Sequence, residues 1–170
     1  MYLLGRFRAL GSRRLAGCAA ALGAVALAVT LTTPSASAST ILFTSRLYNF
    51  QTGLCLDSNG AGNVYTDNIN DCNGSNEYQN WNVWSNGNLG LGLQDQATGL
   101  CLDSNSAGQV YTDACDADDA YQEWTGGGAG QGHTFEDVAT GLCLDSNGAG
   151  NVYTDDIDGC NWDNYQSWSW

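Results

Sequence analysis

Short segments in which apolar and polar residues alternate are the main structural signal in this chain. In "LCLD" (Leu54–Asp57) the two leucines occupy alternate positions, and in "VYTD" (Val64–Asp67) valine and threonine alternate with tyrosine and aspartate. This period of two predicts β-strands that turn one face toward a core. The intervening "SNGAGN" predicts a hairpin turn, because Asn and Gly tolerate positive φ. No helical period is visible after residue 38.

These two strands belong to a unit that occurs three times. The octet "TGLCLDSN" stands unchanged at Thr52–Asn59, Thr98–Asn105 and Thr140–Asn147. Each copy is followed by a "VYTD" strand, a cysteine and a closing Tyr-Gln-x-Trp, so the repeats cover about 43–84, 89–126 and 133–170. Units near 40 residues bury their apolar faces against one another. We therefore expect the leucines, valines and closing tryptophans in a shared core.

The number of repeats indicates the architecture. Three equal units of about four strands each predict an all-β chain closed around a pseudo-threefold axis, which is a β-trefoil. A four-bladed propeller would need a fourth unit. Closure also removes the open sheet edges that favour aggregation.

The first 38 residues have a different composition from the repeats. A basic segment without acids precedes the apolar run "CAAALGAVALAVTL" (Cys18–Leu31), and Ala36-Ser37-Ala38 follows. This order predicts a secretory signal peptide over 1–38 and one domain over 39–170. The apolar run is short for a transmembrane span, which needs about 20 residues. We therefore expect a secreted, extracellular protein.

The charge of the predicted domain limits its partners. Residues 39–170 contain one arginine, Arg46, and all 18 acidic residues, a formal net charge of −17. Such a surface repels phosphate backbones and anionic membranes, so we expect neither nucleic acid nor membrane as a partner. Neutral polysaccharides and cell-surface glycans remain, although acidity also serves solubility. We expect a monomer that uses no cofactor.

The domain keeps six cysteines, two in each repeat. In an oxidising compartment an even set of this kind predicts disulfides, and repeat symmetry selects one pairing out of 15. Loops of this length are worth about 3 kcal/mol each in the chain-entropy model. Zinc is a poor alternative, because there is no CxxC and the chain has one histidine. The predicted disulfides are Cys55–Cys72, Cys101–Cys115 and Cys143–Cys160.

The combination of "GLCLD", "VYT", cysteine and three QxW motifs resembles the ricin B-type lectin family, whose domains are carbohydrate-binding β-trefoils. The resemblance extends from about Phe43 to Trp170. It implies that the motif glutamines tie neighbouring backbone and that the motif tryptophans fill the core. These residues are Gln79 and Trp81, Gln122 and Trp124, and Gln166 and Trp168.

The resemblance also implies a shallow sugar site in each repeat. In the family, the aspartate after Cys-Leu accepts hydrogen bonds from two sugar hydroxyls, and an aromatic ring stacks on the pyranose. The corresponding residues are Asp57, Asp103 and Asp145, and strand alternation directs them away from the core. The family suggests galactose-, arabinose- or xylose-type ligands.

The chain departs from the family at the stacking aromatic, which usually lies two residues before the second cysteine. Asn70, Asp113 and Asp158 stand there. We expect tyrosines on the same strand face to replace it, and the tyrosine before each motif glutamine to form a second wall. The second repeat is three residues shorter here, so its site is the one expected to be lost first. The replacement tyrosines are Tyr65, Tyr111 and Tyr153, and the second-wall tyrosines are Tyr78, Tyr121 and Tyr165.

Other functions fit the sequence less well but stay open. The aspartates could serve only to stabilise turns, and the domain could be a protein-interaction or inhibitor module with degenerate sugar sites. A calcium loop lacks an oxygen ligand at Ala61 and its final glutamate, so no metal is expected. We expect no enzyme, because His133 lies in a Gly-rich connector without a nucleophile motif, and threefold acids indicate like sites rather than one catalytic pair.

Overall fold

The computed structural model describes residues 40–72, 74–85, 90–127, 132–156, 159–160 and 164–170. All described residues belong to one compact unit. The predicted signal peptide and Asp158 lie outside the described residues. Within the described ranges, no helix has the length and apolar character needed to cross a membrane.

The described residues form short strands in the order that the repeats predict. Short 3-10 helices at Ile69–Cys72 and Glu77–Gln79 follow the second hairpin strand of the first repeat. The first repeat contributes β1 (Thr40–Ser45), β2 (Tyr48–Asn49), β3 (Cys55–Ser58), β4 (Val64–Asp67) and β5 (Trp81–Ser85); the second, β6 (Leu91–Asp95), β7 (Cys101–Ser104), β8 (Val110–Asp113) and β9 (Trp124–Gly127); the third, β10 (Thr134–Asp137), β11 (Cys143–Ser146), β12 (Val152–Asp155) and β13 (Trp168–Ser169).

The outer strands of the three repeats close into a barrel. Antiparallel pairing runs from β1 to β5, β6, β9 and β10. A bridge between His133 and Trp168 joins the start of β10 to β13, and β13 pairs with β2. Because β1 and β2 are separated only by Arg46 and Leu47, the ring is complete. Among the described strands, this closure leaves no long open edge of the kind that favours aggregation.

The inner strands form three hairpins with the same register. Each "CLDS" strand pairs with the following "VYTD" strand, so β3 pairs with β4, β7 with β8 and β11 with β12. The hairpins contact one another in a ring, through bridges between the turn of one and the tyrosine strand of another. Barrel and hairpin ring together are the β-trefoil that the three repeats predict.

The core lies between the barrel and the hairpin ring. The fully buried set includes the leucine of each "CLDS" strand and the tryptophan of each QxW motif. Each of these indoles donates its Nε1–H to the carbonyl oxygen of that leucine, at 3.0–3.2 Å. The closing tryptophan of each repeat is thus fixed to the strand that carries the octet. The residues are Leu56 and Trp81, Leu102 and Trp124, and Leu144 and Trp168.

Contacts at the hairpin tips explain why one position in each turn is a glycine. Gly62 has φ of 84°, and its carbonyl accepts a hydrogen bond from the Thr112 amide of the next repeat. Gly108 and Gly150 repeat this geometry toward Thr154 and Thr66. A Cβ at these glycines would lie 2.8–3.0 Å from the threonine carbonyl oxygen. The turn therefore needs glycine both for its φ and for the approach of the neighbouring backbone.

The three disulfides are those that repeat symmetry predicts. Each joins the first residue of the "CLDS" strand to the segment after the "VYTD" strand of the same repeat. The bonds are Cys55–Cys72, Cys101–Cys115 and Cys143–Cys160, with Cα separations of 5.9, 5.0 and 5.6 Å.

Candidate functional site

Each repeat places its predicted aspartate directly opposite its predicted tyrosine. Because facing residues of an antiparallel pair project to the same side of the sheet, both side chains share the face opposite to the core leucine. The three pairs have identical register. They are Asp57 and Tyr65, Asp103 and Tyr111, and Asp145 and Tyr153.

These aspartates are outside the apolar core but are not open to solvent. Asp57 is 1% exposed, Asp103 4% and Asp145 3%, whereas the tyrosines opposite them are partly exposed. Strand alternation therefore predicts the correct face of the sheet for these aspartates. It does not predict that the segment before the QxW motif covers their carboxylates. A buried carboxylate needs hydrogen-bond donors in compensation, and its partners determine what it can still bind.

In the first repeat two amides hold the carboxylate. Gln79 Nε2 donates to Asp57 Oδ2 at 2.8 Å, and Asn76 Nδ2 donates to the same oxygen at 2.9 Å. Asn76 also caps the 3-10 helix that carries Gln79, since its Oδ1 accepts the Tyr78 amide. Among the residues that the structure describes, Oδ1 of Asp57 is buried without a hydrogen-bond partner. That oxygen is the acceptor left for a ligand.

The second repeat keeps the glutamine contact but changes the second partner. Gln122 Nε2 donates to Asp103 Oδ2 at 2.8 Å and also to the Ala114 carbonyl at 3.0 Å. The position of Asn76 is taken by Asp119, whose Oδ1 likewise accepts the amide of the following tyrosine, Tyr121. A carboxylate cannot donate to Asp103. The second site therefore faces a like charge where the first has an amide.

The third repeat is described in part. Gln166 is fully buried, and neither its Nε2 nor its Oε1 has a partner within the described residues. The carbonyl of Tyr165 accepts hydrogen bonds from Asn49 Nδ2 and from the Ser146 amide. The counterpart of Asn76 is Asp163, which lies outside the described ranges.

The pKa values of the first two sites are shifted in one direction. Burial has the largest effect on the pKa of Asp57 and raises it. The hydrogen bond from Gln79 lowers this pKa, and the negative charge of Asp67 raises it further. Burial likewise raises the pKa of Asp103, with a further increase from Asp119. Burial, and then the facing aspartate, raise the pKa values of Tyr65 and Tyr111. Both sites thus disfavour additional negative charge.

The register changes the position that corresponds to the usual stacking aromatic. Counting two residues back from the second cysteine selects Asn70 and Asp158 in the longer repeats and Asp113 in the shorter one. Asp113 is the last residue of its "VYTD" strand, and the last residues of the corresponding strands are Asp67 and Asp155. The three extra residues of the longer repeats follow this strand. The residues that face the first cysteine of each repeat are Asp67, Asp113 and Asp155.

The second-wall tyrosines differ in exposure. Tyr78 is 40% exposed beside Asn76, whereas Tyr121 and Tyr165 are half-buried. The motif glutamines also contact the site aspartates. Gln79 donates to Asp57, and Gln122 donates to Asp103 while it ties the backbone at Ala114 and Asp116, as expected. Asn76 and Asp119 were not identified from the sequence, although their constant offset of three residues before the glutamine could have revealed them.

Within the described residues, no group of three or more His, Cys, Asp or Glu side chains is arranged to hold a metal ion. The described lining of a surface cavity of about 290 Å³ includes none of the predicted sugar-binding residues. Its lining consists of Ile41, Trp84, Gln94, Cys115 and Ala117.

Comparison with known proteins identifies the family. The ricin-type beta-trefoil lectin domain matches residues 43–168, and the chain belongs to this family. No curated protein sequence matches the chain significantly.

Similar solved structures share the fold at low identity. The cytolethal distending toxin of Haemophilus ducreyi is 18% identical with a TM-score of 0.61, over 74% of this chain and 80% of that chain. The toxin of Actinobacillus actinomycetemcomitans is 19% identical with a TM-score of 0.62, over 74% and 88%. The designed threefold symmetric protein ThreeFoil is 19% identical with a TM-score of 0.60, over 74% and 95%. At these identities the likeness concerns the fold alone.

Proposed function

We propose that this protein is a secreted, non-catalytic lectin that binds neutral glycans through its Asp–Tyr pairs. The observation that carries the proposal is the identical pairing of a buried aspartate with a partly exposed tyrosine in all three repeats of a ricin-type domain. A carboxylate accepts hydrogen bonds from sugar hydroxyls, and an aromatic ring covers the apolar face of a pyranose. Galactose-, arabinose- and xylose-type sugars are the proposed ligands.

The first repeat offers the best-prepared site. Its amide donors fix Asp57 through Oδ2, and this leaves Oδ1 to accept a hydroxyl. Tyr65 lies opposite and donates its hydroxyl to the Ser58 carbonyl at 3.3 Å. Since Asp57 is 1% exposed, a sugar reaches Oδ1 only when its cover moves. We therefore expect weak single-site affinity with a cost for opening the site.

The same burial favours a second candidate function. A carboxylate that is covered and held by the QxW glutamine can serve the fold alone, as a link between the hairpin and the segment that ends the repeat. The domain would then be a protein-interaction or inhibitor module with degenerate sugar sites. The two functions differ in whether any glycan binds.

A glycan array decides between them. Wild type should bind at least one neutral glycan, and the Asp57→Asn/Asp103→Asn/Asp145→Asn variant should lose at least tenfold in affinity, because hydrogen bonds to charged groups are worth about 1.5–3 kcal/mol. Asparagine retains the shape and can still accept from the glutamine. Asp118→Asn/Glu123→Gln/Glu136→Gln, at exposed or partly exposed positions, removes the same three charges and is the matched control. Wild type that binds no glycan contradicts the lectin proposal, and binding that survives in the triple variant contradicts the site.

Export has its own test. We propose that cleavage follows Ala38, which fits the oxidising compartment that three disulfides require. Non-reducing mass spectrometry of protein recovered outside expressing cells should give a chain that begins at Ser39 and is lighter by six protons than its reduced form. A free thiol in that chain, or an intact leader, would contradict this part of the proposal.

A further inference from the structure

Each site carries a second carboxylate on the face of its tyrosine. Asp67 lies two residues after Tyr65 on β4, and residues two apart on a strand project to the same side. Since Asp57 faces Tyr65, Asp67 is its diagonal neighbour on that face. Asp113 and Asp155 hold the same place in the other repeats. At the strand position that faces the first cysteine, this chain therefore presents an acid in each of the three repeats.

These outer carboxylates are accessible, unlike the inner ones. Asp113 is exposed, and Asp67 and Asp155 are partly exposed. The amide of Asn68 donates to Asp67 Oδ1 at 2.6 Å, and the amide of Ala114 donates to Asp113 Oδ1 at 2.7 Å. These bonds fix the orientation of the two carboxylates. A ligand that approaches the tyrosine meets a held negative charge before it reaches the buried aspartate.

The described contacts of the two basic side chains of residues 39–170 lie elsewhere. Arg46 and His133 are the basic residues of 39–170. Arg46 donates through Nε to the Tyr48 hydroxyl at 3.1 Å, and His133 stacks on Trp170 with ring centroids 3.7 Å apart. Acids, by contrast, are close to the site tyrosines: the charges of Asp57 and Asp67 both raise the pKa of Tyr65, and those of Asp103 and Asp113 raise the pKa of Tyr111. Within the described residues, the buried Oδ1 of Asp57 has no hydrogen-bond partner and adds an acceptor on the same face.

We propose that the outer aspartates Asp67, Asp113 and Asp155 select glycans that carry a free amine, so that a protonated 2-amino sugar binds more tightly than its N-acetylated form. The proposal rests on the proposed lectin function. The hydroxyls of the pyranose use the inner aspartate, as in a neutral sugar, while the ammonium group pairs with the outer carboxylate. Uronic acids and sulfated sugars are rejected by the same charge.

Calorimetry with defined oligosaccharides tests this selection. The probes are a β-1,4-linked glucosamine tetramer, the N-acetylglucosamine tetramer and xylotetraose, at low salt and about pH 5.5, where the amine is protonated. We expect wild type to bind the glucosamine tetramer about two- to fivefold more tightly than the acetylated one, as suits partly exposed ion pairs. Asp67→Asn/Asp113→Asn/Asp155→Asn should remove this preference and leave xylotetraose binding unchanged.

The control removes three charges elsewhere. Asp118→Asn/Glu123→Gln/Glu136→Gln has the same net charge as the test variant, and none of its positions belongs to the shared site face. An equal loss in this control, or equal wild-type affinity for both hexosamine tetramers, overturns the proposal and identifies only general attraction to an acidic surface. If wild type binds xylotetraose without preferring the amine, the lectin function stands and this inference fails. If wild type binds no oligosaccharide, both fail.

Discussion

At the scale of single residues, the main finding is a buried carboxylate held by amides rather than presented to solvent. Asp57 receives Gln79 and Asn76 on one oxygen, so the QxW glutamine connects the end of the repeat to the octet at its start. Asp103 receives Gln122 in the same way. The motif is thus part of the site as well as of the fold, because the side chain that fixes the aspartate lies two residues before the core tryptophan.

Removal of one glutamine tests this connection. Gln79→Ala should lower the free energy of unfolding by about 1–3 kcal/mol, because a buried charged oxygen loses a donor. The measurement is urea denaturation followed by tryptophan fluorescence. Gln96→Ala, at an exposed position, is the matched control and should change stability by less than about 0.5 kcal/mol. Equal effects of the two substitutions would show that the Gln79 contact contributes nothing particular.

The raised pKa values of Asp57, Asp95 and Asp103 predict how stability depends on pH. Burial is the first cause in all three, so the native state keeps protons at pH values where the unfolded chain, with a pKa near 3.8, has lost them. Their contribution is therefore complete below about pH 3.8 and is lost as the pH rises through the folded-state values.

Denaturation curves at a series of pH values from about 3 to 7 measure this dependence. The difference between wild type and Asp57→Asn/Asp103→Asn isolates the two site residues from the other acids. We expect the variant to lose less stability than wild type as the pH rises across this range. A wild-type curve that instead gains stability relative to the variant would contradict the raised values.

At the scale of elements, the hairpin ring sets the position of each site. Each "VYTD" strand pairs with its own "CLDS" strand on one side and bridges to the turn of another repeat on the other. The amide of Thr66, next to Tyr65, donates to the Gly150 carbonyl at 2.9 Å. The tyrosine of one site is thus positioned by the turn of a different repeat, and a defect in one turn affects a neighbouring site.

Three glycine substitutions distinguish the cost of a positive φ from the cost of the close backbone approach. Gly150→Ala combines a positive φ with a Cβ 2.8 Å from the Thr66 carbonyl and should cost about 2–4 kcal/mol. Gly53→Ala has positive φ but open space, and should cost about 1 kcal/mol. Gly60→Ala has neither and should be neutral. Thermal or urea unfolding gives the order, and equal costs at Gly150 and Gly53 would show that the close approach is relaxed easily.

The sequence predicts an element correctly when the residues that determine it lie close together in the chain. The alternating strands, the turns and the disulfide pairs follow from residues within one repeat, and the sequence predicts them correctly. The burial of Asp57 depends on where the segment around Asn76 folds back, and the equivalence of Asp67 with Asp113 depends on pairing register. Both are tertiary properties. Residue counting from Cys72 selects Asn70, whereas the pairing register sets Asp67 opposite Cys55, as Asp113 is set opposite Cys101.

At the scale of the whole molecule, three related sites on one rigid domain predict avidity. Weak binding at single sites gains strongly when one polymer engages two or three of them, by about 10²-fold or more where the spacing permits. We expect a polysaccharide to bind far more tightly than its own tetramer. Surface plasmon resonance on immobilised polymer measures this gain.

The gain should depend on the number of intact sites. Asp57→Asn alone should remove most of the polymer avidity, because the first repeat has the complete set of amide donors, while Asp103→Asn should have less effect because Asp119 already opposes that site. Equal affinity for polymer and tetramer in wild type would contradict the expectation of cooperating sites. Equal effects of the two substitutions would contradict the ranking of the repeats.

The hairpin ring also bears on how such a chain can be connected. The hydrogen bonds from Thr66 to Gly150, from Thr112 to Gly62 and from Thr154 to Gly108 have equal lengths, 2.9 Å, so the contact between the last and first repeats is equivalent to the contacts between consecutive ones. The non-covalent contact between the last and first repeats can then take the place of a peptide link between two consecutive repeats. A circularly permuted chain that starts at the second repeat should fold into the same domain. The geometry also allows three copies of a single repeat to assemble into this domain as a homotrimer.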